Sequence, residues 1–462
     1  MPVNTYAEFI ARKEVKATAR GLAEVPDLAP HLRRFQAANV AFGLTVGSWG
    51  DFMDTGLGKT ADELEWAKHA AAATNERALI LTPLAVARQI EAEGNRWGYE
   101  IRVIREQAEA GAGLNVCNYD RLDKLDPSAF GAVVLDESSI IKTFTGKTSR
   151  ALIASFEGHR FRMAATATPA PNDHMELGQH CAFLGAMDRD EMLMRFFVHD
   201  SADTKSWRLK GHAVTAFWDW MATWSRMAEH PRDLGDDVPG FDLPELRVIR
   251  HHADSVEVAP DGTLFAGDHV SATTMFDIKR QTAEARADLI ARLVIDDSDE
   301  PWVLWCDTND EADAIARCLK GTGVEWDEVR GSHPIERKEE ALEAFRKGSL
   351  RVILTKSSIC GWGLCWQHCA RMAFVGRSFS YESWYQAVRR CWRFGQTRPV
   401  ECHLIVAAGE ESIGRVIDRK AGDHARMKAE MVAAMRRAIG IQAPVARRSY
   451  NPTHQGRLPA WL

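Results

Sequence analysis

Asp54-Thr55-Gly56-Leu57-Gly58-Lys59-Thr60 is a glycine-paired turn that ends in lysine and a hydroxyl residue, and it runs directly into a helical pattern, Ala61 to Ala73. Glycines let the backbone approach an anion closely, a helix N-terminus points its free N–H groups at the same place, and lysine adds a full charge. Such a loop suits a nucleoside triphosphate. Lys59 would face the β and γ phosphates, the Thr60 hydroxyl would meet Mg²⁺, and Asp54, Thr55, Gly56, Leu57 and Gly58 would wall the cradle. Met53 stands where the strict form of this loop asks for glycine, so only a variant form fits.

Outward from that loop, residues 31–187 alternate helical and strand patterns as a parallel sheet with crossover helices requires. Short apolar runs at Ala78 to Leu81, Ile101 to Ile104, Val133 to Leu135 and Arg162 to Ala165 read as buried strands, and Ala85 to Trp97 as a further helix. The third run ends in Asp136-Glu137, two carboxylates at the C-terminal end of a strand. There Asp136 can hold Mg²⁺ and Glu137 can orient and deprotonate an attacking water.

A second alternation covers 285–410, with strands at Trp302 to Trp305, Val352 to Thr355, Met372 to Val375 and Cys402 to Val406. Helices are expected at Asp310 to Lys320, Ile335 to Lys347 and Tyr381 to Arg393. Arg390 and Arg393 are three apart and would share one face of the last helix, placed to meet the γ phosphate held by the other half. Two tandem doubly wound parallel-sheet domains are expected, preceded by an N-terminal segment, 1–30. Residues 188–284 are expected to form a helical, tryptophan-rich insertion and connector, and 411–462 a basic C-terminal helix and tail. Phe217, Trp218, Met221 and Trp224 fit one helix face, and packing is the favoured reason, with an aromatic nucleic-acid or partner surface as the alternative.

The chain has 462 residues and a net charge of −6, so it is not uniformly basic. From Gly414 onward, however, Arg415, Arg419, Lys420, Arg426, Lys428, Arg436, Arg437, Arg447, Arg448 and Arg457 outnumber three acids. A phosphate-binding groove needs only local positive charge. The nine cysteines include no CxxC pair, which points to reduced thiols rather than a disulfide framework; a metal cluster of Cys360, Cys365, Cys369 and Cys391 is the weaker reading. With neither a leader pattern nor an apolar span of membrane length, a cytoplasmic protein is expected, in a bacterial or phage-infected cell.

In order, these elements resemble the superfamily-two helicases, and within them the Swi/Snf-type DNA translocases in their compact phage and bacterial form. Leu32-Arg33-Arg34-Phe35-Gln36 resembles the element whose glutamine, here Gln36, reads adenine. Leu81-Thr82-Pro83 and Asn118-Tyr119-Asp120-Arg121-Leu122 are similar to strand-gripping elements. Asp136-Glu137-Ser138-Ser139 with Ile141-Lys142 resembles the Swi/Snf form of the second Walker motif. Ala165-Thr166-Ala167-Thr168-Pro169 resembles the element coupling hydrolysis to movement.

In the second half, Trp305 to Glu311 and Lys356 to Gln367 are similar to DNA-side elements, and Gln386 to Gln396 to the arginine-finger motif. The resemblance implies two RecA-like lobes, ATP and Mg²⁺ as cofactors and DNA, duplex rather than single strand, as partner; a monomer is favoured, with a further protein partner conceivable through the insertion or tail. Nucleic-acid contacts are implied at Thr82, Pro83, Asn118, Tyr119, Lys142, Thr308, Asn309, Lys356, Ser357 and Ser358. Coupling is implied at Thr166, Thr168 and Gln386, and further nucleotide contacts at Gly363 and Gln396. Cys365, and Ile359-Cys360-Gly361-Trp362, depart from the family pattern. An RNA-dependent ATPase of the same superfamily and a clamp that binds without turnover are the competing readings.

Overall fold

In the sequence, a strand before the phosphate loop is hidden by Gly50 and Asp51, which interrupt the apolar run, yet Ser48–Met53 is buried at every position. The computed structural model describes residues 18–83, 86–199, 207–253, 272–297, 299–360, 365–407 and 410–440. Its first lobe opens with α1 (Arg34–Val46), β1 (Ser48–Met53), α2 (Lys59–Ala72), β2 (Arg77–Thr82), α3 (Ala87–Arg96) and β3 (Ile101–Val103). There follow β4 (Gly113–Asn118), β5 (Ala132–Asp136), α4 (Lys147–Ser155), β6 (Phe161–Ala165), α5 (Leu177–Leu184) and α6 (Arg189–Phe196). A small antiparallel hairpin, β7 (Phe197–His199) and β8 (Trp207–Leu209), leads to α7 (Val214–Met221) and β9 (Ser225–Ala228).

The first sheet runs β3-β4-β2-β5-β6-β1-β9, with every pairing parallel. β2, β5 and β6 are buried on both faces, which is why they read as apolar runs, while β3 at the sheet edge is partly exposed. The loop after β1 and the acids ending β5 therefore emerge along one edge, the carboxyl ends of the strands, where ligands of such sheets sit.

The second lobe begins with β10 (Leu246–His252), α8 (Ala272–Asp296), β11 (Trp302–Cys306), α9 (Asn309–Leu319), β12 (Trp326–Val329) and α10 (Ile335–Arg346). It continues with β13 (Val352–Lys356), the single turn α11 (Ser357–Cys360), β14 (Arg371–Phe374), α12 (Tyr381–Val388), β15 (Val400–Val406) and α13 (Glu411–Ala438). This sheet, β10-β15-β14-β11-β13-β12, is also wholly parallel. Leu304, Val352 and Ile290 pack on one face, and Trp305, Ile353 and Met372 on the other, the two-sided core of a doubly wound domain. Two RecA-like lobes are thus present.

Two expectations are corrected. Within residues 188–284, expected as a helical insertion and connector, β9 extends the first sheet beside β1 and β10 extends the second beside β15. Short strands rich in polar or charged residues, such as Ser-Arg-Met-Ala, carry no apolar run for sequence reading to catch. The tryptophans do pack: Trp218, Trp220 and Trp224 are buried, with Trp220 stacked on Phe196 at 5.2 Å between centroids.

The second correction concerns α12, which ends at Val388 rather than Arg393. Beyond it Arg390 and Cys391 N–H groups bond back three residues, tightening the chain into turns. Arg390 and Arg393 consequently do not share a helix face.

α13 starts on the second lobe, where Ile413 and Ile417 pack with Tyr381 and Tyr385. It then crosses to the first, burying Met427, Met431 and Ala434 in that lobe's core. Of the basic end, Arg447, Arg448 and Arg457 lie outside the described residues. No helix among the described residues is long and apolar enough to cross a membrane.

Candidate nucleotide site and interlobe cleft

Gly56 and Gly58 take φ of +93° and +83°, values that only glycine adopts without strain, and they curl the chain between β1 and α2. A side chain at either would be strained and crowded. A Cβ on Gly58 would lie 2.5 Å from Gln36 Nε2, and one on Gly56 3.0 Å from the Phe394 nitrogen of the second lobe. Gln36 Nε2 donates to the carbonyls of Leu57 and Gly58, at 3.2 Å each, and its Oε1 accepts from the Arg33 N–H at 3.0 Å. The glutamine expected to read adenine thus braces the loop itself. Lys59 Nζ donates to the Met53 carbonyl at 3.0 Å, and Thr60 follows in the first turn of α2.

Around Lys59 five buried carboxyl groups converge: Asp51, Asp62, Glu63, Asp136 and Glu137. Burial pushes Asp51 up to about 6 and Glu137 up to about 7 against the opposing pull of Lys59. Burial likewise raises Asp62, Glu63 and Asp136. Among the described residues, Asp51 Oδ2, Asp62 Oδ1 and both Glu63 oxygens have no hydrogen-bond partner. Among the described residues no three of these groups are arranged to hold a metal ion by themselves, so a divalent cation here would also need phosphate oxygens. Asp51, Asp62 and Glu63 were not singled out from the sequence; their buried acidity inside an apolar strand and helix was the available signal.

Glu137 adopts a left-handed φ of +55°, one of two such non-glycine residues described. Strain of that kind persists only where the surroundings hold it. Thr166 Oγ1 donates to Glu137 Oε2 at 3.3 Å, and the Thr168 N–H donates to Thr166 Oγ1 at 3.1 Å. The two threonines expected to couple are therefore chained to the acid. Thr82 Oγ1 donates to Asp136 Oδ2 at 2.7 Å, and the Tyr119 hydroxyl to the Asp136 carbonyl at 2.7 Å. Both residues, expected at nucleic acid, buttress the acid pair, and with Pro83 and Lys142 they also line a cleft of about 450 Å³. Asn118 closes β4 just before Tyr119. Lys142 ion-pairs across that cleft with Glu382 of α12.

In the second lobe, Thr308 accepts from the Glu311 N–H and caps α9, a structural duty. Asn309 and Lys356 border a cavity of about 270 Å³ at the carboxyl ends of β11 to β13. Ser357 Oγ lies 2.8 Å from Ser383 Oγ, and Ser358 is exposed. Gly363 lies outside the described residues. Gln396 departs from its expected place at nucleotide. Its Nε2 donates to the Gln367 and Cys369 carbonyls, and its Oε1 accepts the Thr397 and Arg398 N–H groups, so its amide is committed to its own lobe.

Arg390 is buried, its Nε donating to the Gln386 carbonyl and Nη2 to Gln386 Oε1, both at 2.9 Å. Burial, with Arg393 beside it, lowers Arg390 to about 10, and its charge acts on Glu137 across the cleft. Arg393 is half-buried in the same turn. Sequence reading missed Arg389. Its Nη2 reaches the Thr55 carbonyl at 2.7 Å and its Nε the Thr55 hydroxyl at 2.9 Å, directly on the phosphate loop.

Two RecA-like lobes, with a phosphate loop and an acid pair on one and buried arginines facing them from the other, have the architecture of a helicase-type ATPase. Residues 285–395 match the helicase conserved C-terminal domain, which supports a superfamily-two, nucleic-acid-dependent ATPase. No curated protein matches the chain.

Proposed function

We propose that the protein is an ATP-driven motor of the Swi/Snf type that moves along duplex DNA. The observation that carries this reading is contact across the cleft: Arg389, next to Arg390 in the second lobe, donates to the Thr55 carbonyl and hydroxyl of the phosphate loop at 2.7 and 2.9 Å. The phosphate loop and the arginine turn therefore address one space.

On this reading Lys59 and the loop amides bind the triphosphate, while Thr60 and Asp136 hold its magnesium. Bound Mg²⁺ would neutralise developing charge on the phosphate oxygens. Glu137, kept on the edge of ionisation by burial, accepts a proton from the attacking water, and Thr166 holds its carboxylate in line. Arg390, kept in position by Gln386, faces the charge that develops at the γ phosphate. The Asp136-Glu137-Ser138-Ser139 sequence supports the Swi/Snf assignment over an RNA-directed one. Movement would follow from the lobes closing on ATP and reopening after hydrolysis, with Lys142, Asn309, Lys356, Ser357 and Ser358 among the contacts to DNA. Recombination, remodelling and phage replication are processes such a motor serves.

The test is a pair of variants measured for both binding and turnover. Lys59→Ala should lose ATP binding and hydrolysis together, and Glu137→Gln should bind ATP and leave it intact. Hydrolysis by Glu137→Gln at the parent rate would refute the assignment.

A further inference from the structure

Asp54 opens the phosphate loop and is buried, yet all the charge that matches it comes from distant parts of the chain. Its Oδ1 accepts the Tyr385 hydroxyl at 2.5 Å and the Thr55 N–H at 2.7 Å. Its Oδ2 lies 3.1 Å from Lys428 Nζ of α13 and 3.3 Å from Arg389 Nη2. Lys428 Nζ also meets the Tyr385 hydroxyl at 3.0 Å and Glu229 at 3.1 Å.

Burial alone would raise the Asp54 carboxyl, but Arg389 and Lys428 outweigh it and hold the group far below the carboxylate range. An ionised carboxylate in such a place is costly unless paired and hydrogen-bonded. Here both cations arrive from outside the first lobe.

We propose that Arg389 and Lys428, with the Tyr385 hydroxyl, are positioning residues for the phosphate loop, so that seating α13 sets nucleotide affinity. The inference rests on the nucleotide reading of this loop. Arg389 pins Thr55 by its carbonyl and hydroxyl, and Asp54 pins the Thr55 N–H, so the first turn of the loop is fixed from both sides. Leu57 N–H then bonds back to the Asp54 carbonyl at 3.3 Å, passing the restraint on toward Gly58 and Lys59. A loop ordered before its ligand arrives binds without an ordering cost. α13 can deliver Lys428 because its two ends are anchored on different lobes: Ile413 and Ile417 on Tyr381 and Tyr385, Met427 and Met431 in the first core. Arg436 and Arg437 extend the first-lobe anchorage to Asp233 and Asp219. None of the three positioning groups need touch the reacting atoms.

Two readouts on the full chain test this. The first is the affinity for magnesium and a non-hydrolysable ATP analogue by titration calorimetry. The second is amide hydrogen exchange of residues 54–58 without nucleotide. Lys428→Met and Arg389→Met should each weaken the analogue by about tenfold or more, as loss of a charge-assisted contact does, and Lys428→Arg should recover most of it. Tyr385→Phe, which keeps the ring and its packing, should still speed loop exchange severalfold while leaving the rest of the first sheet protected. Parent-like affinity in both methionine variants, or unchanged loop exchange in Tyr385→Phe, would overturn the proposal. Should the parent chain itself bind no analogue, the nucleotide reading fails, and the exchange result still judges whether these groups order the loop.

Discussion

Gln386 grips Arg390 twice: its backbone carbonyl accepts from Nε and its side-chain oxygen from Nη2, each at 2.9 Å. Because α12 stops at Val388, this grip and not a helix face holds the guanidinium, whose charge opposes the upward push of burial on the Glu137 carboxyl.

Arg390→Ala should therefore bind ATP and lose turnover by about three orders of magnitude, the lower end for an arginine acting across an interface. Gln386→Ala should follow it in direction with a smaller loss, because the arginine remains but is no longer held. Equal ATP affinity and reduced kcat in both, from steady-state kinetics beside calorimetry, is the expected pattern. A large drop in melting temperature in both would point to a structural role instead.

Lys142 faces the interlobe cleft with its charge taken up by Glu382. Glu382→Gln should free the lysine for phosphate. The nucleic-acid concentration for half-maximal ATPase stimulation should fall, and the dependence of log affinity on log salt should steepen by about one unit. An unchanged salt slope would remove Lys142 from the nucleic-acid path.

Trp224 is wholly buried and meets Trp220 and Phe52 edge to face. Trp224→Ala should destabilise the chain by about 3–5 kcal/mol, the usual cost of emptying a large aromatic site. Chemical denaturation measures this directly. Weaker nucleic-acid binding with unchanged stability would favour the aromatic-surface alternative.

Glu65 is a buried carboxylate that accepts the Tyr99 hydroxyl at 2.6 Å and the Ala29 N–H at 2.8 Å, with His69 Nε2 at 2.9 Å. Burial alone would raise it; these bonds and the Lys68 charge outweigh that and hold it at about 2. A carboxyl depressed in the folded state stabilises the fold above its ordinary value and loses that contribution as pH falls. The window runs from about 4.5 down to about 2. Glu65→Gln should lower stability at neutral pH and flatten the acid limb of the stability curve across that window.

What the sequence revealed and what it hid have physical causes. Strands such as Val352–Lys356, apolar and buried, were legible, whereas Thr308, expected at nucleic acid, turned out to cap α9 with Glu311. β1 was not, because Asp51 and Gly50 sit inside a buried strand where chemistry, not hydropathy, selected them. β9 and β10 were assigned to a connector because strand order in a sheet is a long-range property that short polar runs do not announce. At the site, the loop and acid pair were readable as local patterns and are brought together along one sheet edge. Arg389, Tyr385 and Lys428 were not, since what makes them matter is convergence on Asp54 from more than 300 positions away. The arginine turn was misread as helix because its hydrophobic spacing continues past Val388 while the Arg390 and Cys391 N–H groups bond back three residues instead of four.

The proposed DNA-stimulated ATPase is tested most directly by the ATP hydrolysis rate of the parent chain alone and with single-stranded DNA, duplex DNA, forked DNA or RNA, at two salt concentrations. A low basal rate, stimulation greatest with duplex DNA, and loss of that stimulation as salt rises are expected. Hydrolysis indifferent to every nucleic acid would contradict it, and stimulation by RNA alone would replace its DNA reading with an RNA one.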